Sequence, residues 1–497
     1  MRRIVIALAA VPAAAVLSIA QPGILTATAG GPPGPAGGSA HSPAGGHTSG
    51  GGHGTTTLDG FTKRVVTRGL GNPYEIVWGP DGFLWVTEKS GEKVTRVNPK
   101  TGAKSTALDL VDHAWHTEGG QDGVLGLALH PDLLKDKGHD YVYVSYTYDS
   151  NPSEAEVDQR LRIDRYTYDS ESGTLGEPKN LIAGLPSGTD HQSARLRFGP
   201  DGKLYYTIGD QGANQLQHYC EPNRAQWLPT EDQITAKDWI AYRGKTLRLE
   251  PEDGSIPADN PVLGGVRSHV WAYGFRNAQG LDFGPDGTLY NTDQGPKTDD
   301  EVNIITKGAN YGWPYVAGYR DDKAYAFHPW SASAPTPCAD LTYSDLEVPP
   351  TVPTQKESDW KGDFTPPVGT FSTVDNGYNF ADPKCGDLAF ICWPTVANSS
   401  ITHYPATGGI TQFRDSLLMT TLKDGSVYQL ELSPDKKTVA KSTRLWTAQN
   451  RYRDIALSPD GTSVYVATDS EGPVRDRDGA PTTTLDNPGS ILVFRLK

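Results

Sequence analysis

Apolar positions along this chain alternate far more often than they recur at helical spacing. Four segments show the alternation best, and the same short phrase precedes each. Gly79-Pro80-Asp81-Gly82 leads into Phe-Leu-Trp-Val, and Gly199-Pro200-Asp201-Gly202 into Lys-Leu-Tyr-Tyr-Thr-Ile. Gly284-Pro285-Asp286-Gly287 leads into Thr-Leu-Tyr-Asn-Thr, and Ser458-Pro459-Asp460-Gly461 into Thr-Ser-Val-Tyr-Val-Ala-Thr. In such a turn proline presets φ, aspartate bonds the backbone ahead, and glycine takes the left-handed position. Each phrase predicts a tight hairpin feeding a strand rich in β-branched and aromatic residues. Partner strands can be read before two of them, at Leu281-Asp282-Phe283 and Asp454-Ile455-Ala456-Leu457. Proline or glycine interrupts most windows of helical period.

The four turns begin at residues 79, 199, 284 and 458, so no single period spaces them. A uniform repeat array is thereby excluded. Degenerate blades of one all-β propeller, separated by long functional loops, account for the spacing. Six blades of four strands over about 440 residues leave ~18 residues for each strand with its loop. A pair of β-sandwiches is the alternative on composition.

The first residues read as an address. Arg2 and Arg3 precede an apolar stretch, Ile4 to Ala20, broken by Pro12, and Ala27-Thr28-Ala29 offers a small-x-small cleavage site. Residues 1–29 are expected to be an export signal, with a membrane anchor or a twin-arginine route as alternatives. Residues 30–57 are nearly all Gly, Pro, Ala, Ser, Thr and His, a composition that cannot offset the entropy of ordering and reads as a flexible tether. His41, His47 and His53 recur within it, either as a transition-metal catch or as incidental residues of a soluble linker. The propeller domain is then expected over 58–497.

Charge narrows the partners. With 45 Lys+Arg against 59 Asp+Glu the net charge is −14, which argues against nucleic acid. Four cysteines in an exported chain suggest two disulfides. Cys385 and Cys392 would close a small hairpin loop beside Trp393, leaving Cys220 and Cys338 to pair by elimination. Neither pair has zinc-ligand spacing.

Six segments carry chemistry. His191, in Asp190-His191-Gln192-Ser193, can take a proton from an alcohol if a carboxylate holds its other nitrogen, and Asp210 is the nearest candidate. Alone, it would read as an ordinary surface or core histidine. Arg276-Asn277 would hold an anionic oxygen or cap a turn. Gln294 to Glu301 combines a Gly-Pro turn with three consecutive carboxylates, hard oxygen ligands suited to calcium, or simply a solvated acidic loop. Arg451 and Arg453 share one face of a strand, and with Lys423 they would form a pocket for a multiply carboxylated ligand. No Gly-x-Gly-x-x-Gly fingerprint for a nicotinamide is present.

Asp190-His191-Gln192, Ile208-Gly209-Asp210-Gln211-Gly212 with Asn214-Gln215, and Gly295-Pro296 through Asp300-Glu301 stand in unbroken order with four further motifs. Those are Asn310-Tyr311-Gly312-Trp313-Pro314, Ile391-Cys392-Trp393-Pro394-Thr395, Asn450-Arg451-Tyr452-Arg453-Asp454 and Asn487-Pro488-Gly489-Ser490. Together, over residues 60–497, they resemble the soluble pyrroloquinoline quinone (PQQ) glucose dehydrogenases. The resemblance implies a secreted or periplasmic quinoprotein with PQQ and calcium in a top-face cleft of the propeller. It would oxidise the anomeric C1 hydroxyl of glucose or another aldose to the lactone. Electrons would leave to an external acceptor (a quinone, dye or redox protein).

By motif matching, His191 is the general base, Asp210 its orienting partner, and Arg276 with calcium stabilises charge on the quinone oxygen. Gln121, Asp190, Phe390 and Trp393 match sugar contacts. Gln215, Arg276, Asn277, Trp393, Thr395, Lys423, Arg451, Arg453 and Asp469 match the cofactor's surroundings. The carbonyls of Gly295 and Pro296 would complete the calcium beside PQQ, and Glu301, Tyr311, Ala317, Tyr319, Asp321 and Glu357 match a second calcium pair near a homodimer interface. Three departures stand out: Phe390 where the family has Tyr, the added Cys220 and Cys338, and the long tether. A calcium-dependent propeller lactonase would not need the Lys423, Arg451 and Arg453 clamp. A non-catalytic sugar-binding propeller would not need His191 and Asp210.

Overall fold

All four Pro-Asp-Gly phrases lie between hydrogen-bonded antiparallel strands. Pro73–Trp78 pairs with Leu84–Glu88, Ser193–Phe198 with Leu204–Ile208, Ala278–Phe283 with Leu289–Asp293, and Tyr452–Leu457 with Ser463–Thr468. The closing glycines Gly82, Gly202, Gly287 and Gly461 have φ of 76, 73, 83 and 67°, a region that disfavours any Cβ. In each turn the aspartate Oδ1 accepts the amide two residues on, at 3.0–3.1 Å. The turn chemistry read from the sequence is therefore the chemistry that forms.

The structure, a computed structural model, describes residues 60–497; the expected export signal (1–29) and tether (30–57) lie outside the described residues. Among the described residues six four-stranded antiparallel sheets follow one another, with two small hairpins besides. Their innermost strands are Pro73–Trp78, Val124–Leu129, Ser193–Phe198, Ala278–Phe283, Asn398–Tyr404 and Tyr452–Leu457. Each touches the next, and the sixth touches the first. This is the expected six-bladed propeller. The last blade is composite: Tyr452–Leu457, Ser463–Thr468 and Ile491–Leu496 are joined at the outer edge by Phe61–Thr67 from the other end of the chain. Closure of this kind leaves no unpaired seam between first and last blades.

Apolar residues from neighbouring sheets form the core between blades, while the axis is polar. Arg195, fully buried, donates to the carbonyls of Gln279 and Ser399, each at 3.0 Å. It also lies 3.0 Å from Asp454 and 3.6 Å from Glu75, and Glu75 accepts the Leu127 amide at 2.9 Å. One guanidinium and two carboxylates thus tie the inner strands of all six blades. A buried charge set of this kind holds only if its hydrogen bonds are satisfied together.

Helix is scarce, as expected; the six-residue Glu231–Ala236 starts at a capping box of Thr230 and Gln233. One expectation is corrected. The Cys385–Cys392 disulfide forms, but it closes two short helical segments, Pro383–Leu388 and Ala389–Cys392, and no hairpin. With the cysteines only seven positions apart and a left-handed Gly386 (φ 49°), the segment bonds locally instead of pairing as strands.

Candidate functional site

Every inner strand runs in the same sense, so all six start at the end of the ring opposite the Pro-Asp-Gly turns. There each inner strand carries a β-bulge within its first residues, and bulges bend a strand and re-aim its side chains. His191, Arg276, Asn277 and Thr395 just precede inner strands, and Arg451 and Arg453 flank the first residue of another. Asp210, Lys423 and Asp469 just follow second strands. The topology alone gathers these residues on one face.

His191 and Asp210 form the expected pair, Nδ1 to Oδ1 at 2.7 Å. Asp210 also accepts Gly212 N–H, Asn223 Nδ2 and Trp313 Nε1 at 2.8–2.9 Å. Burial would raise its pKa, but the charge and hydrogen bond of His191, with Arg276 and Trp313, hold it below the ordinary carboxylate range. An ionised Asp210 keeps the imidazole proton on Nδ1 and leaves Nε2 free to accept. That nitrogen faces Gln215 Nε2 at 3.2 Å and Asp190 Oδ2 at 3.8 Å.

The loops are bent hard to achieve this. His191, Ser193, Ala194, Gln211, Asn214 and Leu216 all have φ between 43 and 69°, where non-glycine residues are strained and persist only if their surroundings over-determine them. The Tyr74 hydroxyl donates to the Ser193 carbonyl, Asn277 Oδ1 accepts the Ser193 amide at 3.2 Å, and the Asp210 amide donates to Arg276 O at 2.8 Å. The Cys220–Cys338 disulfide also forms; it pins the loop carrying Gln215, aided by Tyr219 donating to Leu341 O at 2.9 Å.

A polar chain runs beside the histidine. Gln121 donates to Asp190 at 2.5 Å, Gln215 donates to Asp190 at 3.1 Å, and Arg276 donates to Gln215 Oε1 at 2.8 Å. The Arg276 and Asn277 amides both donate to Asp293, which fixes that turn. Next to Gln215, Pro296 and Trp313 opens a cavity of about 350 Å³ edged by Tyr325, Tyr343 and Phe380.

The cationic clamp is split in two. Arg451 and Arg453 do share a face, and both bond Asp469 at 2.8–3.0 Å. Burial opposes the Asp469 charge, yet the two arginines bring its pKa down to about 2. Lys423 belongs to a second group: its ammonium donates to the carbonyls of Phe390 (2.9 Å) and Trp393 (3.3 Å) and to the Thr395 hydroxyl. Arg475 joins it by donating to Ile391 O and Thr395 O at 2.9 and 2.7 Å. Burial and the Arg475 charge lower the Lys423 pKa to about 7. Phe390 is 45 % exposed, whereas Trp393 is buried.

In the acidic loop, Asp300 accepts the Gly295 amide at 2.9 Å and those of Val396 and Ala397 at 2.7 Å. Glu301 accepts Gly318 N–H at 2.7 Å, while Glu357 accepts the amides of Ala317, Asp321 and Asp322 at 2.9–3.1 Å. Glu301, Ala317, Asp321 and Glu357 are thus brought together, with Tyr319 in the same loop. Tyr311 turns its hydroxyl elsewhere, to Ile304 O at 2.6 Å. Burial and the neighbouring Asp293 and Asp299 push Glu301 far up, and burial takes Glu357 to about 7.

Sequence reasoning missed Lys89, Asn223 and Arg475, and it quoted Trp313 without a role. Lys89 follows a second strand as Asp469 does, and its ammonium reaches Gly120 O at 2.5 Å; position in the blade was the available signal. Asn223 lies in a loop and Arg475 in a two-residue strand, Val474–Arg475, of a small hairpin, with no local pattern to mark either.

The chain matches the glucose/sorbosone dehydrogenase family model over residues 70–338 and 379–475. It is 46 % identical over 446 residues to quinoprotein glucose dehydrogenase B of Acinetobacter calcoaceticus, covering 88 % of this chain and 92 % of that protein. Aldose sugar dehydrogenase YliI of Escherichia coli is 26 % identical over 411 residues, covering 82 % and 89 %. The PQQ-bound form of an aldose sugar dehydrogenase from Streptomyces coelicolor has the same fold, with a TM-score of 0.56 at 24 % identity over 88 % of this chain and 98 % of that one. A match of this extent, in motifs that now converge on one face of a propeller, means that the chain belongs to the glucose/sorbosone dehydrogenase family.

Proposed function

We propose that this protein is an exported PQQ- and calcium-dependent sugar dehydrogenase, oxidising the C1 hydroxyl of an aldose to the lactone and handing electrons to an external acceptor. The observation that carries the reading is the buried His191–Asp210 pair at 2.7 Å, set beside a polar chain on one side and two cationic groups on the other. The propeller domain spans 58–497, preceded by an export signal (1–29) and a tether (30–57). Among the described residues no helix is long and apolar enough to cross a membrane.

The residues fit the cofactor. Lys89, Arg451 and Arg453 around the single Asp469 leave an excess of buried positive charge, and Lys423 and Arg475, which face Asp300 and Asp424, add two more cationic donors. A ligand with several carboxylates, such as PQQ, would balance it. Arg276 Nε is buried without a hydrogen-bond partner, a donor available to a ligand oxygen. A Cβ at Gly295 would collide with the Thr298 carbonyl, so the turn presenting the Gly295 and Pro296 carbonyls to calcium depends on glycine. Glu301, Ala317, Tyr319, Asp321 and Glu357 would hold the second calcium pair, to which Tyr311, its hydroxyl already given to Ile304 O, would add only its main-chain carbonyl. Bound in the cleft, PQQ supplies the two-electron oxidising capacity that side chains lack.

The chain's own residues do the rest. His191 Nε2 accepts the proton of the anomeric hydroxyl, and Asp210 stabilises the imidazolium that results. Gln121 and Asp190 bond sugar hydroxyls and fix which carbon faces the cofactor. Arg276 and Asn277 place donors where negative charge develops. Reconstitution of apoprotein with PQQ and calcium, followed by dye reduction over a panel of aldoses, tests the proposal. Full-rate aldose oxidation by chelated, PQQ-free protein would refute it.

A further inference from the structure

The end of the ring away from the cleft departs from its own rule in the second blade. Where four blades use a four-residue Gly/Ser-Pro-Asp-Gly turn, this one reads His130-Pro131-Asp132 and continues to His139 before its second strand, Tyr141–Asp149. The longer turn folds back on itself. One ligand atom from each of His130, Asp132 and His139 lies within 4.8 Å of the others, and the two imidazole rings are 4.8 Å apart.

Three details show ligand atoms left uncommitted within the turn. His139 Nδ1 is a buried atom without a hydrogen-bond partner. It faces Asp132 Oδ2 at 4.0 Å, too far for a hydrogen bond yet inside the ~4.2 Å that two zinc–ligand bonds placed end to end would span. Asp132 Oδ1 is engaged by Lys137 at 2.9 Å and approached by Lys135 at 3.9 Å, so the oxygen turned toward His139 is the one left over. His130 Nδ1 accepts the Asp132 amide at 3.1 Å, which already directs a ring nitrogen into the turn.

We propose that His130, Asp132 and His139 form a binding site for a zinc-class divalent transition ion, with water in the remaining position. Two imidazoles and one carboxylate suit zinc, cobalt, nickel or copper, whereas calcium and magnesium need an all-oxygen shell. His130 would exchange its long bond to the Asp132 amide for the ion. The site cross-links the two ends of the longest excursion in the second blade and acts as a staple for that turn. It lies on the face opposite His191, so it has no part in sugar oxidation.

The test uses the full chain loaded with PQQ and calcium, titrated with Zn²⁺ by calorimetry and with Co²⁺ by visible absorption. His41, His47 and His53 offer competing imidazoles, so wild type is compared with His139→Ala, with the more conservative Asp132→Asn, and with a His41/His47/His53 triple alanine variant. The expected result is one site per chain that survives in the triple variant. His139→Ala and Asp132→Asn should each weaken it at least tenfold and abolish the low-coordinate Co²⁺ absorption, at unchanged dehydrogenase turnover. Equal affinity in wild type, His139→Ala and Asp132→Asn would overturn the proposal, as would loss of all zinc binding in the triple variant. Should His139→Ala fail to fold, Asp132→Asn alone decides.

Discussion

The two ends of this ring are built from the same strands on different principles. At the turn end, Asp81 finds partners close by: the Phe83 amide at 3.1 Å, the Trp85 indole at 3.2 Å and, across one hairpin, Arg96 at 2.7 Å. Glycine occupies the left-handed position. At the cleft end, Asp210 takes its partners from His191, Asn223 and Trp313, and between His191 and Leu216 alone six non-glycine residues occupy left-handed backbone. Local chemistry makes the first end self-sufficient. The second is held by groups from several blades, which lets it carry strain and unbalanced charge.

That contrast can be tested to breaking. The largest effect should come from His191→Gln, which removes no cofactor anchor. Turnover of PQQ-saturated enzyme should fall ~10²–10⁴-fold, the usual scale of general-base catalysis, with the PQQ titration nearly unchanged; activity lost only through lost cofactor would remove His191 from its role. Arg453→Ala comes next, because it leaves buried Asp469 with one arginine. Breaking a buried pair costs about 3–5 kcal/mol, to be read in urea unfolding of the apoprotein, and PQQ affinity should fall before turnover does. Asp81→Ala, at the turn end, should cost about 1–3 kcal/mol and leave kcat/KM untouched. A change in kcat there would break the division between the two ends.

Protonation sharpens it further. Asp469 has its folded pKa lowered to about 2, so its contribution to stability is fully present above the ordinary carboxylate pKa and is lost as pH falls through about 2. Lys423, held at about 7 in the free protein, should rise when carboxylates arrive. PQQ binding should then take up a proton above pH 7 and weaken as pH rises, which calorimetry in buffers of different ionisation enthalpy would show. Proton-neutral binding at pH 8 would count against Lys423 as a carboxylate partner. The smallest effect belongs to Phe390→Tyr: KM should shift among sugars, since an exposed hydroxyl can bond one and not another, while the pH profile stays put.

The fold was readable because its signals are local. Four turns with identical chemistry and the alternating strands behind them were enough to propose blades, and closure of the ring follows from where the two outermost partners fall. The pairing of His191 with Asp210 and the common face of Arg451 and Arg453 were also readable, the one from motif order and the other from period two. What did not show was how these groups are partnered. Asp469 was named for the site, but not that it bonds both arginines from the end of the paired strand, while Arg475 beside Lys423 and Trp313 donating to Asp210 reach their places through packing between distant segments. The axial hub of Arg195, Glu75 and Asp454 was hidden for the same reason, since nothing near any of the three marks it as buried.

The composite last blade has a consequence for how the molecule is born. Phe61–Thr67 is made first among the described strands, and Ile491–Leu496, its partner, last. Five sheets can assemble as the chain emerges, yet through most of synthesis the opening strand has nothing to pair with and remains a bare edge. Asp454, one of the two acids that neutralise Arg195, also arrives late. Bringing the two ends together is a long loop closure whose entropic cost comes before any reward from the contacts. A chain stopped a few residues short would therefore have almost all of its strands and still be an open, adhesive crescent.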